Sequence, residues 1–177
     1  MRQFHVGLVR ADRQFTAWVA EHGVTVLRIS VGIVFFWFGA LKFFPQLSPA
    51  EDLAARTIAA LSFGIIKPAV SVPVLATWEC LIGLSLITGQ FVRLALITMF
   101  GHMFGTITPL ILFPHETWTR VPYAATLEGQ YILKNMVLVS AALVVYASVH
   151  ARELAQESEV SRAKPGPRLA SPRRVAI

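Results

Sequence analysis

With 177 residues, 55% of them hydrophobic and only 15% charged, and a mean hydropathy of +0.59, the chain carries too little charge for a soluble domain of its size and reads as an integral membrane protein. The net charge of +6 and a pI near 10.1 need no nucleic-acid partner, because the basic residues lie mostly outside the apolar runs, where they set topology and meet anionic lipid. A single cysteine, Cys80, excludes an internal disulfide and any Cys-x-x-Cys shuttle and reads as a small packing thiol.

Residues 1–23 form a cytoplasmic N-terminal segment. Within it, residues 12–22 place Phe15, Trp18 and Val19 on one helical face with Asp12 as N-cap, which predicts an interfacial helix or an extension of the first span, with room for a bend at Gly23. The first apolar run, 24–44, is followed by Lys-Phe-Phe-Pro rather than a small-residue cleavage site, so it is expected to stay in the mature protein. Three further runs, 72–88, 91–113 and 130–149, approach the roughly 20 residues that a bilayer core of about 30 Å demands. The expected fold is all-α: a polytopic four-transmembrane-helix bundle over residues 24–149.

Between the first two runs, Ser48, Pro49 and Glu51 make a capping-box start, and Leu53, Ala54, Ile58 and Leu61 follow at helical spacing. This predicts a short amphipathic helix over 49–63 in the first outer loop. Ser71 and Pro73 are expected to open the second span and Gly89 to close it. The second outer segment, 114–129, is rich in turn formers. Its Trp118 and Tyr123, with Phe43, Phe44, Phe113 and Tyr131, supply an aromatic belt. Residues 150–177 turn polar and basic and read as a disordered cytoplasmic tail.

Ten of the sixteen Lys and Arg residues fall on the side that holds both termini and the turn at Arg93, and only Lys42, Arg56, Lys67 and Arg120 fall on the other. The positive-inside rule then puts both termini in the cytoplasm.

Polar residues inside the runs carry the functional signal. Glu79 is the only charge in 72–88, and a carboxylate near the middle of hydrocarbon costs roughly 2.5–3.5 kcal/mol on insertion scales. A rise of about 1.5 Å per residue sets it some 10 Å below the outer end of its helix. At similar depth lie His102, midway along the third run, and Lys134, one turn into the fourth. Lys134 is the expected partner of Glu79 and His102 the second choice, with Lys42 and Glu128 at the rim. Thr98, His102, Gly105, Thr106 and Pro109 share a face of the third run that should turn inward. Gly83, one turn beyond Glu79, leaves space beside the carboxylate, and Gly101 and Gly105 form a small-x-x-x-small pair. Lys134 near the interface and Arg28 one turn in can snorkel, whereas Asn135 must hydrogen-bond across helices. Bis-His haem ligation lacks a second intramembrane histidine, and no spacing recommends a metal site.

Four segments carry a resemblance: LRISVGIVFFWFGALKFFP (27–45), WECLIG (78–83), GTITPL (105–110) and LEGQYILKN (127–135). Together they resemble the DoxX-like family of bacterial four-helix inner-membrane proteins. The resemblance implies association with quinone-linked redox chemistry, as in the membrane subunit of thiosulfate:quinone oxidoreductase, or with oxidative stress. Cysteine-dependent thiol oxidation does not carry over to a chain with one cysteine.

The leading functional expectation is a quinone-linked membrane redox subunit. In it Glu79 and His102 handle protons, Lys134, Asn135, Thr106 and Trp78 support the site, and quinone is the cofactor. The alternatives are a small-solute carrier, which would need to oligomerise, and a structural or assembly subunit of a larger membrane complex. Glu79 as a structural pair that fixes helix register is the competing reading of the same residue.

Overall fold

The computed structural model describes residues 2–44, 47–48 and 51–163, with side chains left undescribed at 2–9, 152 and 160–163. Four of its helical segments are long and apolar enough to cross a membrane: Arg10–Leu41, Pro68–Thr88, Val92–Leu112 and Leu127–Glu159. The chain is therefore an all-α polytopic membrane protein, as its composition predicts.

Helix α1 (Arg2–Leu41) is continuous, so residues 12–22 extend the first span instead of forming a separate interfacial helix. Helix α2 (Glu51–Leu61) is the amphipathic element between the first two spans, begun by a bond from the Glu51 amide to the Ser48 carbonyl at 3.3 Å. Glu51 Oε2 is buried with no partner, and no bond from the Glu51 side chain back to the Ser48 amide forms among the described residues. Pro49 and Ala50 lie outside them.

Helix α3 (Pro68–Thr88) starts three residues before Ser71, because extended Lys67 delivers Pro68 to the first turn, where a missing N–H costs nothing. Pro73 consequently sits inside the helix. Gly89, at φ 78°, ends α3 by donating its N–H to the Ser85 carbonyl, and Phe91, at φ 53°, swings the chain into α4 (Val92–Ile107). Pro109 restarts the same span as α5 (Pro109–Leu112).

The segment between the third and fourth spans folds into α6 (Pro114–Thr117) and a minimal hairpin of β1 (Trp118–Arg120) and β2 (Ala124–Ala125). Thr126 then caps α7 (Leu127–Leu133), its Oγ1 accepting from the Gly129 amide at 3.2 Å. Gly129 is required there, since a Cβ would run into the Thr117 carbonyl oxygen. After a break at Lys134, α8 (Asn135–Ala163) runs well past the apolar sequence. Residues 150–163 are thus helical, not disordered: Glu153 meets Arg93 at 3.5 Å and His150 at 3.8 Å, and the helix simply continues out of the span. Residues 164–177 of the expected tail lie outside the described residues.

Helices α1 and α3 pack along a glycine seam. A Cβ on Gly32 would stand 2.9 Å from the Gly83 carbonyl oxygen, one on Gly83 would stand 2.7 Å from the Gly32 carbonyl oxygen, and one on Gly39 would stand 2.9 Å from the Cys80 amide nitrogen. Gly83 therefore admits the α1 backbone and does not leave open space beside Glu79. Arg28 closes the far end of this seam by donating to the Leu86 and Ile87 carbonyls, which end α3 with no partner of their own. Its charge does more than snorkel.

The apolar core fills the half of the bundle near the α3–α4 turn. Val31 and Phe35 of α1, Ile82 and Leu86 of α3, Leu96, Met99 and Met103 of α4, and Ala142 and Val145 of α8 meet there. The other half, beneath α2, is hollow.

Candidate functional site

Glu79 faces the hollow half, 6% exposed. The seam puts it there: a Cβ on Gly39 would lie 2.9 Å from Glu79 Cβ, so the carboxylate emerges beside the end of α1. Lys42, one turn farther along, folds back and donates from Nζ to Glu79 Oε2 at 2.6 Å and to the Phe38 carbonyl at 3.3 Å. Across the gap, α4 sets His102 Nε2 3.2 Å from Glu79 Oε1. Phe35 meets the imidazole edge-on, with ring centroids 5.7 Å apart. All three polar side chains are about nine-tenths buried.

The charges of Lys42 and Glu79 cancel, which is what allows both to leave water. Lys42 spends two of its three N–H groups on Glu79 and Phe38 and keeps one. With a proton on Nε2, facing the carboxylate, the imidazole leaves Nδ1 as an acceptor that no hydrogen bond reaches among the described residues.

The cluster forms one wall of a cavity of about 240 Å³. Val34, Phe35 and Phe38 of α1, Leu75 of α3 and Leu138 of α8 make it mostly apolar, and Leu53, Ala54, Thr57, Ile58 and Leu61 of α2 close it on the loop side. Gly105, Thr106 and Pro109 line it with His102, so the small and polar stripe of α4 turns inward as its spacing predicts. Among the described residues nothing beyond their own helix backbone comes within 4 Å of where a Cβ on Gly101 or Gly105 would stand, so these glycines seat no other helix.

Asn135 donates across helices to Thr106 Oγ1 at 3.5 Å, the interhelical bond its position requires, and both residues line the cavity. Lys134 does not pair with Glu79. It is exposed, with Nζ 4.0 Å from the centre of the Tyr131 ring, a cation–π contact that sends the charge away from the bundle. Depth along the chain fixed its height but not the direction it faces. Trp78 is 46% exposed and lies outside the cavity lining, since it is turned about 100° around α3 from Glu79. The Cys80 thiol is half-buried, 3.7 Å from the Phe36 carbonyl oxygen.

Lys42 is the residue that the sequence reading left at the rim. The signal that finds it is Gly39, three residues earlier: a glycine where two helices touch directs the next turn of α1 over Glu79.

The loop-side wall is pinned from outside. Arg56, on the polar face of α2, makes paired bonds of 2.6 and 2.5 Å to Glu116 of α6, bonds Asp52 at 2.8 Å, and stands 5.3 Å from the centre of the Phe113 ring. Its guanidinium holds the Glu116 carboxyl below the ordinary carboxylate range.

The DoxX family model matches residues 23–114, more than half of the chain. The chain belongs to the DoxX family. Lys42, Glu79, His102 and Thr106 fall within the matched region, while Asn135 and all of α8 fall beyond it. No curated protein and no solved structure matches the chain. Family membership together with four apolar spans makes it an integral membrane protein.

Proposed function

We propose that this DoxX-family protein is a bacterial inner-membrane protein with both termini in the cytoplasm, and that it binds a lipid-soluble quinone in the loop-side cavity as the membrane subunit of a redox complex. The observation that carries the reading is an apolar cavity with a buried, charge-balanced Lys42–Glu79–His102 cluster on its wall. Sites for small apolar ligands have this make-up, with hydrophobic walls and a few polar groups that orient the guest. The residues fit a quinone head group: flat apolar walls for the ring, and a free Lys42 N–H and the His102 ring for an oxygen.

When bound, quinone supplies two-electron, two-proton redox chemistry, with the electrons coming from a donor protein or small reductant outside this chain. Lys42 offers the hydrogen bond that orients the ring. His102 can exchange a proton with a ring oxygen at Nδ1 while Glu79 exchanges one with Nε2, so that a proton passes through the imidazole to or from the carboxylate. Lys42 also keeps the Glu79 carboxylate neutralised while protons move.

The test is to purify the protein into lipid nanodiscs and measure quinone retained from the membrane and quinone-dependent signals with a panel of donors. Retained quinone that falls severalfold in Glu79→Gln supports the reading. No retained quinone and no quinone-dependent signal with any donor would sink it.

The completeness of Glu79's pairing favours a second reading, in which the cluster is only a clamp inside an assembly subunit. Glu79→Gln that melts earlier but retains the wild-type amount of quinone would favour that one.

A further inference from the structure

The cavity has a second polar station. Thr106 follows His102 by one turn of α4, and its Oγ1 donates to the Met103 carbonyl at 2.9 Å. With its proton spent, that oxygen must accept, which assigns the Asn135 amide with Nδ2 toward it at 3.5 Å. This leaves Asn135 with a second N–H and with Oδ1, to which no hydrogen bond comes among the described residues. The first station has the same two capacities, a donor in the remaining Lys42 N–H and an acceptor in His102 Nδ1.

Both stations line one cavity, and Phe35, Phe38, Leu75 and Leu138 give it apolar walls. Four residues of α4 separate His102 from Thr106, an axial rise of about 6 Å. Stations one turn apart on α4, one answered from α1 and the other from α8, call for a guest with an oxygen at each end. A guest with one oxygen would displace water from both stations and satisfy only one, and stranding a polar group costs roughly 1–3 kcal/mol.

We propose that the site selects a ring bearing two opposed oxygens, a para-quinone or its quinol, with one oxygen at Lys42 and His102 and the other at Asn135. The proposal rests on the quinone reading above and deepens it. Asn135 determines specificity, and Thr106 is a positioning residue that orients the amide. Because each station both donates and accepts, the site takes the oxidised ring through Lys42 and Asn135 N–H groups and the reduced ring through His102 Nδ1 and Asn135 Oδ1.

The experiment is equilibrium binding in nanodiscs of a decyl-substituted 1,4-benzoquinone and of a decyl-substituted cyclohexenone, which has one carbonyl. Wild type should bind the two-oxygen ring roughly tenfold more tightly, the value of about one net hydrogen bond. Asn135→Leu and the nearly isosteric Thr106→Val should each remove most of that preference, Asn135→Leu by letting the single-carbonyl ring bind more tightly, since no amide is then stranded. Thr106→Val keeps the test intact if Asn135→Leu fails to fold. A preference unchanged in Thr106→Val while quinone still binds overturns the two-station mode and leaves the quinone reading standing. Wild type that binds neither ring overturns both.

Discussion

Glu79 has two partners because two helices reach it by different means. Lys42 arrives through the backbone contact at Gly39, whereas His102 crosses the hollow from α4. Removing one member of a buried pair leaves the other charge without compensation, at about 3–5 kcal/mol. Lys42→Met should therefore melt well below wild type in detergent, and the double variant Lys42→Met with Glu79→Gln should recover part of the loss. Additive losses would show that the two charges do not depend on each other. Gly83 gives a second test. A Cβ there would run into the α1 backbone at Gly32 and Phe36, so Gly83→Ala should lower stability by about 1–3 kcal/mol, while Gly101→Ala, with open space, should be near neutral. Glu79 and His102 were legible in the sequence because a charge or imidazole in an apolar run is conspicuous. Lys42 was not, because a lysine at a helix end looks like any interfacial lysine until a neighbouring glycine is known to touch another helix. Lys134 misled for the converse reason: height can be counted along a helix, but facing depends on packing.

Among the elements, α2 is the one the sequence specified most fully. Its apolar stripe of Leu53, Ala54, Ile58 and Leu61 lies on the cavity, and its polar face carries Arg56 to Glu116. Glu116's lowered folded pKa fixes the sign of the pH effect. The contact contributes fully above the carboxyl's ordinary value of 4.5 and is lost as pH falls through the lower folded value. Spin labels at Ala60 of α2 and Thr119 of β1, with Cys80 replaced by Ser, should keep one short distance from neutral pH down through 4.5 and broaden only in stronger acid. Glu116→Gln should show the broad distribution at neutral pH, and high salt should narrow the difference between them. Helix α8 was legible only to the end of its apolar run. Beyond residue 149 its charges could equally belong to coil, because composition does not distinguish an exposed helix from a solvated tail; the contacts of Glu153 do.

For the molecule as a whole, the division into a packed half and a hollow half follows from where small and large residues fall. Large apolar side chains of α4 and α8 interlock near the α3–α4 turn, whereas Gly105, Thr106 and Asn135 leave room under the loops. The sequence showed four spans and could not show this gradient, which depends on which faces meet. With the proposed topology, a membrane-impermeant thiol reagent applied to intact spheroplasts should label Ala60→Cys and spare Arg10→Cys, both in a Cys80→Ser background. The reverse pattern would invert the orientation. The glycine seam has one more consequence. Interlocked backbones join α1 and α3 as a fixed jamb, while α4 closes on it through side chains as the leaf. Lys42 and Glu79 both stand on the jamb and His102 stands on the leaf. The 2.6 Å contact lies wholly within the jamb and the 3.2 Å one ties the leaf to it, so any lengthening between the helices falls on the histidine first.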